Sequence, residues 1–304
     1  MSATKSIWVE RLHRRQRRLR IAWGDVRRAL GWHIGGGRQF FERYFDEMRT
    51  AHRWCFIVGC NNSGTSLLQR ILENTGQVST LPYEGQLYTT VLERAMRRGH
   101  ERVFMEYASA LARTPEESVA VAPRLLHDWM RDLKLPIKDV ILEKSPHNVL
   151  RMAWLDKVFP RCQFLCLVRN GFAVSEGIMR KGHKSAERSA RHWAQVNRVM
   201  LKESVGVKSA MVLRYEDLVD SPEDTARRLA NFLNLDHSAI YAAMNNQYSI
   251  DTIHKQGVQP IQNTNDKTIA RLSVDDIKTI EREAGEMLAH FSYLDSSPRS
   301  RGYI

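Results

Sequence analysis

No run of apolar residues approaches the roughly 18 that a membrane-crossing helix needs, so no transmembrane segment is expected. The N-terminus is basic but lacks the continuous apolar core of a signal peptide, which argues against export and for a cytoplasmic location. Cysteine is scarce: Cys55, Cys60, Cys162 and Cys166 are the four present, and none forms a CxxC pair. All fall in or beside strand-like runs and read as reduced core thiols, not as a disulfide framework. Eleven histidines are scattered, none in a His/Cys/carboxylate cluster with metal-ligand spacing, so no metal is expected. Internal repeats and low-complexity tracts are missing too. With 43% hydrophobic and 26% charged residues, wholesale disorder, a collagen-like chain and a disulfide-stapled mini-protein are excluded. A length of 304 residues suits one large α/β domain or two small ones.

Acidic residues are in deficit, 34 against 46 basic, for a net charge of +12. The deficit is local. Residues 1–34 hold nine Lys/Arg against Glu10 and Asp25, so this segment carries +7 and the other 270 residues only +5. A nucleic-acid-coated body is not the natural reading, and no nucleic-acid partner is expected. Within the segment, Trp8, Leu12, Leu19, Trp23, Val26 and Leu30 recur at steps of 4, 7, 4, 3 and 4, a helical stripe with arginines on the other face. Two readings stay open. The helix lies on an anionic membrane surface, each nearby cation adding about 1 kcal/mol, or it packs its tryptophans on the parent domain and leaves its arginines solvated. Gly35-Gly36-Gly37 breaks the pattern as a hinge. The chain thus divides into a basic helical extension (1–50), a main domain (51–295) and a frayed tail (296–304).

From Trp54 the texture changes. Short apolar runs at 54–59, 139–143, 163–168 and 210–214 have the composition of strands buried on both faces. Helical patterns separate them, at 64–75, 86–98, 101–112, 118–133, 148–158, 172–180, 185–204 and 222–234. A last helix over 273–290 opens on Ser273 with Asp276 three residues on, a capping-box start. This alternation predicts an α/β fold, a parallel sheet flanked by helices. Ligands bind such sheets beyond the carboxyl ends of the strands, so the residues of interest should follow Val58, Glu143, Val168 and Arg214.

After the first strand comes Gly59-Cys60-Asn61-Asn62-Ser63-Gly64-Thr65-Ser66-Leu67-Leu68, leading into a helix. Gly59 and Gly64 permit a tight turn, so that main-chain amides from Asn62 to Ser66 point into one concavity at a helix N-terminus, where the dipole favours anions. The Thr65 and Ser66 hydroxyls add donors. The spacing resembles a Walker A loop, GxxxxGK[ST], but Thr65 stands at the lysine position, which counts against ATP or GTP hydrolysis.

Taken together, these segments resemble the PAPS-dependent sulfotransferases. The family's first signature, G-x-x-[KR]-S-G-T-[ST]-L after a strand, cradles the 5′-phosphosulfate. Ser63-Gly64-Thr65-Ser66-Leu67-Leu68 matches it, with Asn62 at the Lys/Arg position. The second signature is a strand running into R-[DN]-[PG]-x-x-x-x-x-S, whose Arg and Ser grip the 3′-phosphate. Phe164–Val168 followed by Arg169-Asn170-Gly171 matches, but Gly177 stands at the serine position and Ser175 two residues before it. Arg214-Tyr215-Glu216-Asp217-Leu218-Val219 with Pro222, and Ala190-Arg191-His192-Trp193, fit the family as well. The resemblance spans roughly 54–292 and implies the P-loop NTPase-like fold of that family.

It also implies a site. The cofactor would be PAPS, leaving as PAP, held by Asn61, Asn62, Ser63, Gly64, Thr65, Ser66, Arg169, Ser175 and Tyr215. Lys255, in His254-Lys255-Gln256-Gly257, resembles the basic loop that closes over PAPS. The tyrosylprotein branch carries a glutamate about twenty residues beyond the phosphate loop, where Leu81-Pro82-Tyr83-Glu84-Gly85 falls, so Glu84 is the first candidate base. His147, in Glu143-Lys144-Ser145-Pro146-His147, is the second, since an imidazole works near neutral pH without tuning. Lys144, at a strand's carboxyl end, suits stabilisation of charge on the transferring group. The implied reaction is in-line sulfuryl transfer, without metal, to a hydroxyl or amine of a glycan, a glycolipid or a small molecule. Tyr83, Tyr88, Phe104, Tyr107 and Trp129 would either stack on that acceptor or belong to the core. Two other functions stay open: a P-loop kinase of a small metabolite, and a PAP/PAPS-binding protein of the same fold without catalysis.

Overall fold

A computed structural model describes residues 2–95, 102–117, 119–249 and 258–294. At its centre five parallel strands, β1 (Arg53–Gly59), β2 (Val78–Thr80), β3 (Val140–Lys144), β4 (Cys162–Val168) and β5 (Ala210–Arg214), lie in the order β2-β3-β1-β4-β5. The alternation of side chains along β1 divides the core in two. Trp54, Phe56 and Val58 point into one half, Cys55 and Ile57 into the other, all essentially without exposure. Burial on both faces is why the strand reads as one continuous apolar run.

Fourteen helices among the described residues surround the sheet. α1 (Ser2–His33), α2 (Gly37–Arg43) and α3 (Phe45–Ala51) precede it, and α4 (Thr65–Asn74) follows β1. Between β2 and β3 come α5 (Ala108–Leu111) and α6 (Ala122–Met130), and α7 (Met152–Val158) precedes β4. α8 (Gly171–Gly182) and α9 (Ala186–Gly206) lead to β5, followed by α10 (Tyr215–Asp220), α11 (Pro222–Leu233) and α12 (His237–Met244). A hairpin of β6 (Gln247–Ser249) and β7 (Val258–Pro260), then α13 (Asn265–Ile269) and α14 (Val274–His290), complete the described chain. α4, α11 and α12 cover the Cys55/Ile57 half, and α6 to α9 with α14 cover the other. Ser273 and Asp276 make the predicted capping box at α14.

The strand order reverses direction between β1 and β4. Crevices that bind ligands open at such a switch point, beyond the carboxyl ends. In register, Ile57 of β1 sits opposite Lys144 of β3, and Gly59 opposite Leu167 of β4. The segments after these three strands therefore emerge side by side.

Two expectations are corrected, and other elements appear that the sequence did not signal. In the described part of the stretch 86–98 the predicted helix is not formed: Gly85–Tyr88 is a single 3-10 turn and residues 89–94 are irregular. The carbonyls that a helix would use are taken by a side chain instead. Arg94 donates to the carbonyls of Gln86 at 2.8 Å and Thr89 at 2.7 Å, while Asp25 of α1 holds its other edge at 2.7 and 2.8 Å. The pattern over 101–112 splits into a 3-10 turn, Phe104–Tyr107, and the single turn of α5. β2, α10 and α12, all short, were not anticipated. Finally, the tryptophans of α1 do not share one fate. Trp32 is buried against His127 under the Arg124 guanidinium, whereas Trp23, on the predicted stripe, is 68% exposed. Gly36 adopts a φ of 70° where α1 turns into α2, which is what the predicted hinge requires.

Candidate active site

The loop after β1 is shaped by three positive-φ residues. Gly59 (φ 150°) passes so close to β4 that a Cβ would lie 2.3 Å from the Leu167 carbonyl, and Gly64 (φ 96°) would press one into the Tyr215 ring. Asn62 also adopts a positive φ, 66°, a conformation that asparagine tolerates better than most. Gly64 is the N-cap of α4 and supplies no side chain, and the first helical bond runs from Leu67 N to the Gly64 carbonyl. The N–H groups up to Ser66 thus lie ahead of the helical ladder, at the positive end of the dipole.

Arg169, directly after β4, reaches this loop. Its Nη1 donates to the Asn62 carbonyl at 3.1 Å, its Nε to Asn265 Oδ1 at 2.8 Å and its Nη2 to Thr264 Oγ1 at 2.9 Å. The guanidinium lies 4.1 Å above the Tyr215 ring. Tyr215 is itself pinned by its hydroxyl, which donates to the Gln262 carbonyl, so it backs both the arginine and Gly64. The neighbouring Glu216 ties three segments together: it accepts from Asn170 N, from Asn265 Nδ2 and from the Tyr293 hydroxyl. Sequence alone singled out Arg169 and Tyr215 but not Thr264, Asn265 or the tying role of Glu216, whose partners lie 46 to 77 residues away. Lys255 lies outside the described residues.

Three polar atoms in these segments are buried without a protein partner: Asn62 Nδ2, Ser63 Oγ and Ser175 Oγ. Asn62 Oδ1, by contrast, is close to two cations, Arg102 Nη1 at 3.3 Å and Lys181 Nζ at 3.4 Å. Lys181 stays exposed, yet partial desolvation and the guanidiniums of Arg102, Arg180 and Arg169 push its ammonium down to about 8. Gly177 explains the departure from the serine of the second signature. A Cβ there would lie 3.2 Å from the Asn62 amide, so this asparagine and this glycine fit each other.

A second cluster gathers at the end of β3. Lys144 Nζ donates to Glu84 Oε1 at 3.4 Å, and Gln86 Nε2 donates to Glu84 Oε2 at 2.8 Å and to His147 Nδ1 at 2.9 Å. Because the amide donates to a carboxylate, the His147 Nδ1 it also faces is the acceptor nitrogen, and the ring proton sits on Nε2. Burial alone would raise the Glu84 carboxyl, but Lys144, His147 and the two donated bonds outweigh it and hold it at about 2. Burial pushes His147 the other way, down to about 4, so the ring is neutral at pH 7.

Glu143 fixes the loop that carries Glu84. Fully buried, it accepts from Gly85 N and Asn148 Nδ2, both at 2.6 Å, and from the Ser145 hydroxyl at 2.5 Å. Burial raises its carboxyl to about 7 against these bonds. A Cβ on Gly85 would strike Glu143 Oε1 at 2.7 Å, so the loop closes on the carboxyl only with glycine there. Of the aromatic candidates, Phe104 and Trp129 are core, with Trp129 tilted against Trp54 and stacked on Phe159. Tyr88 and Tyr107 are partly buried against that core, and Tyr83, beside Glu84, is 61% exposed. No group of His, Cys, Asp and Glu among the described residues could hold a metal ion.

Comparison with known proteins returns one consistent kind of match. The family model described as "Sulfotransferase family" matches residues 55–239, well over half of the chain. Protein-tyrosine sulfotransferase A of Caenorhabditis elegans is 26% identical over 104 residues, which is 31% of this chain and 27% of that protein. A Caenorhabditis briggsae relative is 24% identical over 106 residues, 32% of this chain and 38% of its own length, so the chain matches well under half of either relative. The sulfotransferase STF1 of Mycobacterium tuberculosis H37Rv superposes with a TM-score of 0.52 at 12% identity, covering 82% of this chain and 81% of the other. STF9 of Mycobacterium avium gives 0.51 at 11%, covering 84% and 81%. The predicted fold is therefore the fold observed.

Proposed function

As this chain belongs to the sulfotransferase family, we propose that it moves the sulfuryl group of PAPS to a hydroxyl or amine of an acceptor, in line and without a metal. The observation that carries this reading is the 3.1 Å bond from Arg169 to the Asn62 carbonyl, which joins the two anion-handling turns at the switch point of the sheet. Residue chemistry supports the donor. An unpartnered buried polar atom costs about 1–3 kcal/mol, and the orphaned Asn62 Nδ2, Ser63 Oγ and Ser175 Oγ are all able to donate to phosphate oxygens. In this reading the amides ahead of α4, with Ser63, Thr65 and Ser66, hold the 5′ side, and Arg169 and Ser175 hold the 3′-phosphate. Bound there, PAPS supplies an activated sulfuryl group on a leaving group already stabilised by a helix N-terminus.

Glu84 takes the acceptor's proton as the acceptor oxygen or nitrogen receives the sulfuryl group. A carboxylate held at about 2 is a weak base, and Lys144 is its strongest attractive partner. When Lys144 turns toward charge on the transferring group, Glu84 loses that partner and its pKa climbs toward the useful range. His147 keeps its proton on Nε2 and orients Gln86 against Glu84. Arg102 and Lys181 bring to position 62 the positive charge that its side chain lacks, which favours transfer over nucleotide binding alone. Four buried, unpaired thiols fit a reducing compartment such as the cytoplasm. The name of the Caenorhabditis elegans relative adds a protein tyrosine to the glycans, glycolipids and small molecules worth trying as acceptors.

The test is transfer from labelled PAPS to a cell-extract acceptor pool. Wild-type protein should yield labelled product, and Glu84→Gln should lower turnover by about 10²–10⁴ while PAP binding holds, the usual range for a positioned proton acceptor. Near wild-type turnover in Glu84→Gln would retire it as the base. No product from any pool would leave the chain a nucleotide binder.

A further inference from the structure

We propose that the outward face of α1 seats the protein on an anionic lipid surface. The inference is independent of the catalytic reading and rests on how α1 is mounted. Its inner side is fixed to the domain by polar bonds. Arg28, 5% exposed, donates to Asp132 at 2.9 Å and to Asp25 at 3.0 Å, and Asp25 also receives the bidentate grip of Arg94. Trp32, 8% exposed, packs edge-on against His127.

At about 100° per residue, the positions opposite Arg28 are those of the apolar stripe. There Leu19, Trp23, Val26 and Leu30 are 53%, 68%, 49% and 51% exposed, and Ile34 extends the patch past the end of the helix at 78%. A contiguous apolar surface of this kind marks an interaction site and not a solvated face.

Charge selects the occupant. Arg20 and Arg27 flank the stripe and are exposed. The one acid from residue 19 to residue 34, Asp25, is turned inward, where two arginines hold its carboxyl below the usual range against the burial that would raise it. The outward face is thus apolar and cationic with no acid on it. A second copy of the same face would set Arg20 and Arg27 against identical charges. An anionic bilayer offers headgroups for the guanidiniums and an acyl boundary for Trp23 and Leu30, the arrangement of an interfacial helix whose arginines extend their stems along the apolar surface. The nine Lys/Arg of residues 1–34 add attraction of the same sign.

Flotation of the full chain with phosphatidylcholine vesicles, with and without phosphatidylglycerol, tests this. Wild-type protein should float with the anionic vesicles and detach as salt rises. Trp23→Glu with Leu30→Glu should weaken partitioning about tenfold or more, and Arg20→Glu with Arg27→Glu should remove the preference for anionic lipid. All four positions are exposed, so melting temperature and far-UV circular dichroism should stay at wild-type values and separate lost docking from lost folding. No flotation of the wild type, or equal flotation of Trp23→Glu/Leu30→Glu, would overturn the proposal. So would a dimer in analytical ultracentrifugation that this double variant dissolves, since the face would then belong to a second copy.

Discussion

Asn62 concentrates the contacts of the site in one residue. Its main-chain carbonyl accepts from Arg169, its Oδ1 receives Arg102 and Lys181, and its Nδ2 is buried without a partner against Gly177. The sequence exposes the neutral residue at this position but hides the compensation, because the two cations come from 40 and 119 residues away and belong to neither signature. Glu84, Lys144 and His147 were named from the family resemblance and a strand end, and the structure brings the three side chains together. Gln86 and Glu143, which arrange them, carry no pattern of their own. Lys181 makes the account testable by pH. Its ammonium is depressed to about 8, so it is charged below that pH and loses its charge as pH rises through it. Affinity for PAP should therefore fall across that range in the wild type. Lys181→Ala should bind PAP about tenfold more weakly at most below the transition, since the group is exposed and screened, and should show a flattened profile. Isothermal titration calorimetry reads both, and an unchanged profile in Lys181→Ala would remove this lysine from the anion site.

Element by element, legibility followed the source of each element's stability. β1, β3 and β4 are buried on both faces and the edge strand β5 is partly buried, so apolar composition marks them, and α9, α11 and α14 carry an apolar stripe long enough to read. The segment 86–95 fails because its conformation is set from outside: Arg94 takes the carbonyls of Gln86 and Thr89 while Asp25, 69 residues away, grips the arginine. Local periodicity cannot report such a clamp. The same clamp couples α1 to the loop beside Glu84. Arg94→Ala should cost about 3 kcal/mol in urea denaturation, the lower end for breaking a buried pair, because Arg28 still faces Asp25. It should also speed proteolysis within 86–98 and lower turnover through Glu84. Wild-type stability with wild-type turnover would show that the clamp is dispensable.

On the scale of the molecule, the fold puts three strand ends side by side and brings distant segments together. The turn after β1 offers amides and hydroxyls, the turn after β4 offers a guanidinium, and the bond between them joins the two sequence signatures. The acceptor was not legible, since Phe104 and Trp129 are core and only Tyr83 stands exposed beside Glu84. The central claim is that Ser63–Ser66 and Arg169 hold the two phosphorylated ends of one adenosine nucleotide. Differential scanning fluorimetry with PAP, in the absence of Mg²⁺, tests it most directly. PAP should raise the melting temperature of the wild type, and Arg169→Ala, read against its own baseline, should lose that rise. Stabilisation by ATP with Mg²⁺ but not by PAP would contradict the claim.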